Sequence, residues 1–172
     1  MLSEDDVDNA TVALIDEKAK AIDPDLGWQI GPIEHGTREL AISAGGDTAL
    51  FPKVREVVSL APKLQHWRII AFKLRLQKIL TVAMDGVTVK PDTVRFSLSK
   101  HGNSVDVHLF TDRPGPAEID EKIGCIFLDE ALGEYDAATK VDELSFRQVK
   151  TMDEKSTTEL QYLGDDVDKL LR

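Results

Sequence analysis

Cysteine is nearly absent from this sequence: Cys125 is the only one in 172 residues. No disulfide can form within the chain, so its fold must be held by a hydrophobic core. A chain of this length buries roughly two-thirds of the surface that its unfolded form exposes, which is enough without a disulfide or a structural metal. The shortage of cysteine also suits a reducing compartment.

Long apolar runs and a secretion signal are missing as well. No apolar stretch approaches the roughly 20 residues that span a bilayer. The N-terminal MLSEDDVDNA is acidic, whereas a signal peptide begins with basic residues and continues with apolar ones. We therefore expect a cytoplasmic protein.

Basic residues are in deficit, with 21 lysines and arginines against 31 aspartates and glutamates and a net charge of −10. A charge balance of this sign repels the phosphates of nucleic acids and the headgroups of anionic lipids. We therefore expect neither nucleic acid nor a membrane surface as a partner. The composition leaves open a protein partner, including a second copy of the chain in a homodimer.

The sequence also lacks the short motifs that identify most catalytic and cofactor sites. It contains no G-x-S-x-G, G-x-G-x-x-G, P-loop, C-x-x-C, H-E-x-x-H or EF-hand pattern. An enzyme without these motifs remains conceivable, but no direct argument for one is left. We therefore name no catalytic residue, no metal ligand and no cofactor, and we favour a protein that is not an enzyme.

What the first half of the sequence does contain is an alternation of helical and strand-like periods. Ser3, followed by three acids, predicts the start of a helix. Pro52 suits the first turn of a second helix, and the apolar WRIIAFK predicts a central strand or a strand near a domain boundary. The predicted helices and strands of this half cover residues 4–21, 28–33, 38–43, 50–61 and 67–73.

The second half contains the clearest β-hairpin. Apolar and polar residues alternate over 94–98 and 105–109 on the two sides of the turn KHGNS, which predicts one buried face and one polar face. A helix over 117–135 and a strand over 141–149 follow. Ser156 and Glu159 have the spacing of a capping box at the start of a terminal helix.

Together these segments predict an α+β fold. About six strands occur mainly as hairpin neighbours, and they are interrupted by three or four helices. We expect a single domain over residues 1–172, with one antiparallel or mixed sheet and the helices packed mainly on one of its faces.

The acidic segment GCIFLDEALGEYD raises the question of a site. On a helix, Asp129, Glu130 and Glu134 fall mainly outside the apolar side of the segment. Such carboxylates could bind a divalent cation or act as acid and base, but no histidine follows His108 in the chain. We favour a solvated helix face. Cys125 lies within the apolar run and is predicted to be a buried, small hydrophobic residue.

His108 is the most interesting of the four histidines. It shares the polar face of the predicted hairpin with Asp106, and it should lie opposite Arg95 or Ser97. The strand over 141–149 adds further charged groups. Such a face could line a ligand cleft, be covered by a partner, or simply be wet. The candidate binding residues are Arg95, His108, Glu134, Tyr135 and Arg147.

Several segments form a distinctive series. A strand ending in Ser-Ala-x-Gly precedes a Leu-Phe-Pro helix closed by Ala-Pro, then a Trp strand ending in Ala-Phe, and later Leu-Asp-x-x-Leu-Gly-Glu-Tyr-Asp. The residues of the series are Ser43, Ala44, Gly46, Leu50, Phe51, Pro52, Ala61, Pro62, Trp67, Ala71, Phe72, Leu128, Asp129, Leu132, Gly133, Glu134, Tyr135 and Asp136. Over residues 37–147 the chain resembles a family of small, uncharacterised bacterial proteins described as a domain of unknown function.

This resemblance has limited consequences. No activity is established for that family, so it implies no catalytic residue. It does mark Leu-Gly-Glu-Tyr-Asp, over 132–136, as the segment to probe for a site. The chain departs from the pattern after Ala-Phe, where the expected arginine appears as Lys73-Leu74-Arg75.

Two functions remain as hypotheses. The first is a non-enzymatic protein-interaction module of the adaptor or immunity type, which fits the size, the acidity and the missing motifs. The alternative is a small-molecule binder or enzyme that uses the polar sheet face around His108, with Arg95 and Arg147 near Glu134 and Tyr135.

Overall fold

The computed structural model describes residues 7–113 and 116–172. The chain divides into two compact units, Met1–Lys73 and Leu74–Arg172. The predicted start of the first helix at Ser3 lies outside the described residues. The prediction of a single domain concerns cooperative folding in solution, and it stays a prediction.

The first unit combines two helices with a small sheet. Asp8 caps the first helix, because its carboxylate accepts a hydrogen bond of 2.8 Å from the Thr11 N–H. A tight turn with positive φ at His35 and Gly36 connects the two strands of the first hairpin. The elements are α1 (Asn9–Ile22), β1 (Gly27–Glu34), β2 (Thr37–Ser43), α2 (Phe51–Leu60) and β3 (Trp67–Ala71).

The strand β3 pairs with β2 in parallel and lies at the edge of the sheet, whose order is β1-β2-β3. The prediction of a central strand is therefore wrong. Its apolar residues are half-buried rather than covered on both faces. The strand ends close to the limit of the first compact unit, at Lys73; the alternative, a strand near a domain boundary, stays a prediction.

The second unit contains a four-stranded and a two-stranded sheet. The predicted hairpin at 94–109 is confirmed, and the strand after it pairs in parallel with the second hairpin strand. The elements are β4 (Val82–Met84), β5 (Val87–Val89), β6 (Val94–His101), β7 (Ser104–Thr111), α3 (Ala117–Leu132), α4 (Glu134–Lys140), β8 (Val141–Gln148), β9 (Thr158–Glu159) and α5 (Leu163–Leu170).

Helix α3 covers the apolar face of the four-stranded sheet. Its Gly124 allows a close approach, because a Cβ there would lie 3.4 Å from a ring carbon of Phe146 and 3.6 Å from a methyl carbon of Leu109. Val105, Val107 and Leu109 are completely buried on this face. The alternation of the sequence therefore predicts correctly which side of the hairpin is buried.

The α+β class is confirmed, but a single sheet of six strands is wrong. Within the described residues, nine strands form three sheets, of three, two and four strands, together with five α-helices. The two larger sheets share one order of elements. In each, a hairpin is followed by a helical segment and then by a strand that pairs in parallel with the second hairpin strand. The returning strand therefore completes its own sheet instead of extending a common one.

The terminal helix begins later than its capping-box spacing predicts. Ser156 donates a hydrogen bond to Asp153 at 2.6 Å, and Glu159 belongs to β9. Helix α5 therefore starts at Leu163. Over residues 7–113 and 116–172, no helix combines the length and the apolar character that a membrane crossing requires.

Candidate functional site

The face of the four-stranded sheet opposite to α3 carries polar side chains in three rows that run across β6, β7 and β8. We call this surface the polar face. Strand pairing fixes the rows, because residues opposite each other in a sheet point to the same side. They are Arg95–Phe110–Arg147, Ser97–His108–Ser145 and Ser99–Asp106–Glu143.

The first row places an aromatic ring between two arginines. The guanidinium of Arg95 is held by Thr157: Nε donates to Oγ1 at 2.9 Å, and a terminal nitrogen donates to the carbonyl oxygen at 2.6 Å. Arg147 is exposed, and among the described residues it has no hydrogen bond or ion pair. Phe110 is half-buried between them. On the fourth strand, Glu159 lies opposite Arg95, so this end of the sheet carries two arginines, one glutamate and a half-buried aromatic ring.

His108 occupies the centre of the polar face. The prediction that it lies opposite Arg95 or Ser97 is met by Ser97. On its other side, Nδ1 lies 2.8 Å from Oγ of Ser145. An imidazole in this position can accept the serine proton or donate its own, depending on its tautomer. The middle row therefore contains a half-buried histidine–serine pair.

The third row is acidic. A carboxylate oxygen of Asp106 lies 2.7 Å from Nε2 of His101. The two side chains form an ion pair when that imidazole is protonated. Its strand neighbour Glu143 is exposed. The charge of the polar face therefore changes sign along the strands, from the arginine row at one end to the acidic row at the other.

Glu134 and Tyr135 do not join this surface. The helix predicted over 117–135 ends at Leu132, and Gly133, with φ 78° and ψ 150°, turns the chain into α4. Ala137 of α4 belongs to the hydrophobic core, so α4 lies on the side of the sheet opposite to His108. Glu134 is completely buried there, while Tyr135 is 41% exposed. The polar face therefore unites only Arg95, His108 and Arg147.

The acidic segment is not a uniformly solvated helix face. Besides the burial of Glu134, Glu130 accepts a hydrogen bond of 2.8 Å from the Leu80 N–H. Partial burial raises the pKa of Glu130 above its usual value, and the nearby Asp129 adds to this. Asp136 pairs with Lys140 at 2.8 Å. In the part of the chain that the structure describes, no three histidine, cysteine or acidic side chains could together hold a metal ion.

Cys125 is exposed, so the prediction of a buried cysteine is wrong. It lies on the outer side of α3, next to the buried Gly124. Partial desolvation raises the pKa of its thiol, and the negative charges of Asp129 and Glu121 raise it further. The thiol is therefore a poor nucleophile in spite of its exposure.

The sequence interpretation missed a buried ionic cluster at the carboxyl ends of β7 and β8. Asp120 is only 1% exposed, and its carboxylate accepts hydrogen bonds from Arg113 and, at 2.8 Å, from Gln148. The sequence does contain a sign of this cluster, because Asp120 lies on the same helical stripe as the apolar residues Ile123 and Phe127. An acid on an apolar stripe indicates a buried partner. The cluster fastens the start of α3 to the sheet.

A cleft of about 460 Å³ opens beside Arg95. Its lining residues are Lys78, Ile79, Pro91, Asp92, Arg95, Glu159 and Gln161. Arg95 is thus the one member of the three rows that lines it. The polar face itself is the side of a sheet rather than the wall of this cleft.

The comparisons with known proteins identify no relative of this chain. No family model, no curated protein and no solved structure matches the chain. The resemblance to an uncharacterised bacterial family therefore stays a prediction.

Proposed function

We propose that the protein is a non-enzymatic protein-interaction module, of the adaptor or immunity type, that contacts its partner with the polar face. The observation that carries this proposal is the row Arg95–Phe110–Arg147. Aromatic residues and arginine are enriched at protein interfaces and supply much of their binding free energy. A row that alternates these residue types on an accessible sheet is a suitable centre for such an interface.

The fixed position of Arg95 supports the proposal. Its two hydrogen bonds to Thr157 hold the side chain before any partner arrives. An ordered side chain loses less conformational entropy on binding than a free one. Arg147, by contrast, is exposed and available to a carboxylate of the partner.

The shape of the surface favours a protein over a small molecule. Three rows on three strands span roughly 10 by 13 Å, from the usual spacing of strands and residues, so a protein partner would also contact the surface around the polar face. A small molecule on a flat sheet would leave much of its own surface in water, whereas typical ligand sites are concave. The opposite charges at the two ends would fix the orientation of a protein partner.

Photo-crosslinking in the native host tests this proposal. A benzophenone amino acid replaces Ser99, which is exposed at the acidic end of the polar face. The matched control carries it at Lys122, an exposed position on α3. We expect the probe at Ser99, but not at Lys122, to form an adduct with one defined polypeptide. Phe110→Ser should abolish that adduct. Equal adducts from both positions, or none from Ser99, would contradict the proposal.

A second candidate function rests on the pair His108–Ser145, at 2.8 Å. A histidine within hydrogen-bond distance of a hydroxyl is the arrangement of a base and the group that it activates. Under this candidate the protein binds or converts a small molecule at the polar face. Native mass spectrometry of protein purified from its host should then show an added metabolite mass that His108→Ala removes. Bare protein in both samples counts against it.

A further inference from the structure

The strand β8 has an unused edge. It contains eight residues and forms the end of the four-stranded sheet, whose order is β8-β7-β6-β9. In the described residues no other strand pairs with its outer side. A long edge with free N–H and C=O groups is a template for another strand, and soluble proteins protect or use such edges.

The sequence of β8, VDELSFRQ, is complementary to itself when two copies run antiparallel. If two sheets join with matching faces about a two-fold axis, opposite residues must point to the same side. Because side chains alternate along a strand, one residue must then lie opposite its own copy, and the axis passes midway between the two. An axis at Ser145 places Glu143 opposite Arg147 of the second copy, and Arg147 opposite its Glu143.

The same register also matches the other face. Leu144 then lies opposite Phe146 of the second copy, and the reverse pair is equivalent by symmetry. Both side chains are half-buried and pack at the margin of the hydrophobic core. Pairing would cover part of what they still expose. Both faces of the joined strands are therefore complementary in one register.

The neighbouring registers lack this match. An axis at Leu144 places Glu143 opposite Ser145 and Arg147 opposite Val141. An axis at Phe146 instead places Arg147 opposite Ser145. Each leaves both charges without an opposite charge directly across the strands. Such cross-strand pairs set the register of a sheet.

The charges in question find no opposite charge in their own sheet. The neighbour of Glu143 on β7 is the acid Asp106, which is paired with His101. The neighbour of Arg147 is Phe110. Both charged residues are exposed, and neither has an ion pair among the described residues. A second copy would supply the missing opposite charge for each.

We propose that two copies of this chain pair β8 with β8, antiparallel and centred on Ser145, to form one continuous sheet of eight strands. The polar faces of the two copies then become a single surface. This inference does not require the proposed partner of that face; in the dimer, Arg147 pairs with Glu143 of the second copy, which leaves Arg95 and Phe110 to contact that partner. It requires only the edge of β8 and the register of its residues.

Charge exchange tests the pairing. Sedimentation velocity of the full chain over a range of concentrations should show a reversible dimer. Glu143→Arg and Arg147→Glu should each weaken it by about tenfold or more, since symmetry turns two attractive pairs into two repulsive ones. The double variant E143R/R147E should restore the dimer. Glu154→Arg, at an exposed position away from β8, should leave it unchanged.

A cysteine at the axis tests the register. In a Cys125→Ser background, Ser145→Cys faces its own copy, so diamide should oxidise the two thiols to a disulfide-linked dimer. Glu143→Cys in the same background faces Arg147 and should cross-link much more slowly. A monomeric wild type at about 100 μM, where even weak dimers form, would overturn the proposal. So would single variants that dimerise normally, or equal cross-linking at both cysteines.

Discussion

Gly133 decides where the carboxylate of Glu134 lies. At φ 78° and ψ 150° its backbone is in a region that only glycine occupies readily. The turn separates α3 from α4 and takes the next residue into the core, where it is completely buried.

We expect Gly133→Ala to lower the free energy of unfolding by roughly 1–3 kcal/mol, since a Cβ strains this conformation. Urea denaturation followed by circular dichroism measures the change. Gly102→Asn is the control: its φ of 60° is one that asparagine tolerates, so that variant should lose much less. Equal losses in the two variants would show that the conformation of Gly133 is not the cause.

Glu130 should make stability depend on pH. Its pKa is raised in the folded chain, mainly by partial burial, so the folded state binds the proton more tightly than the unfolded state. Tighter proton binding stabilises the folded state. This stabilisation is fully present below the unfolded-state pKa, which is about 4.3, and it is lost as the pH rises through the folded-state pKa.

Glu130→Gln removes this titration and keeps an oxygen that can accept the hydrogen bond from Leu80. We therefore expect the variant to gain stability relative to wild type as the pH rises from about 4 to 7. Thermal unfolding at a series of pH values measures the difference. Glu154→Gln, at an exposed position, should follow wild type. A variant that loses stability relative to wild type as the pH rises would show that the pKa of Glu130 is not raised by folding.

Two residues lie elsewhere than the sequence predicts, and each has its own physical reason. Glu134 was assigned to a helix face by continuing the phase of α3 through Gly133, but a single non-helical glycine resets that phase. Cys125 was assigned to the core because apolar residues surround it along the chain, although the buried stripe is set by spacing around the helix. His108 and Arg147 were assigned correctly to the polar face, because strand alternation contains no such break.

At the scale of elements, α5 is attached to the rest of its unit by Arg75. The guanidinium pairs with Asp165 at 2.6 Å and with Asp168 at 3.0 Å. It lies so close to Gly164 that a Cβ there would overlap both the guanidinium and the carbonyl oxygen of Ala131. A glycine within a helix ordinarily weakens it, whereas the close contacts of Gly164 give it a packing role.

Gly164→Ala separates these two interpretations. In a helix without close neighbours, alanine in place of glycine stabilises by about 0.5–1 kcal/mol. Because the carbonyl of Ala131 is backbone and cannot move aside easily, we expect a loss of roughly 1–3 kcal/mol instead. Chemical denaturation gives the sign directly. A gain in stability would mean that α5 can shift away from Arg75 without cost.

Elements formed by local pairing were predictable, and those formed by distant pairing were not. The hairpin β6–β7 follows from alternation and a turn within one short segment. The edge position of β3 depends on its partner β2 across a helix, which no local pattern encodes. The same holds for the division into separate sheets, since α2 and α3 each return the chain to the strand that it left.

At the scale of the whole molecule, the second unit has a hydrophobic core of its own. The buried cluster and the side chains packed against it all lie between Ile79 and Leu171. The ion pairs of Arg75 with α5 also lie within Leu74–Arg172. Nothing in that cluster requires a residue of the first unit, which has its own buried residues such as Val54.

We therefore expect residues 74–172 to fold when expressed alone. The fragment should unfold cooperatively in urea, with a free energy of about 5 kcal/mol or more, as is usual for a domain of this size. Val107→Asp buries a charge at a completely buried position and should abolish the transition in the fragment. If the wild-type fragment shows no cooperative transition while the full chain does, the two units fold as one domain. The single-domain prediction from the sequence would then be correct, because the second core would need the first unit in order to persist.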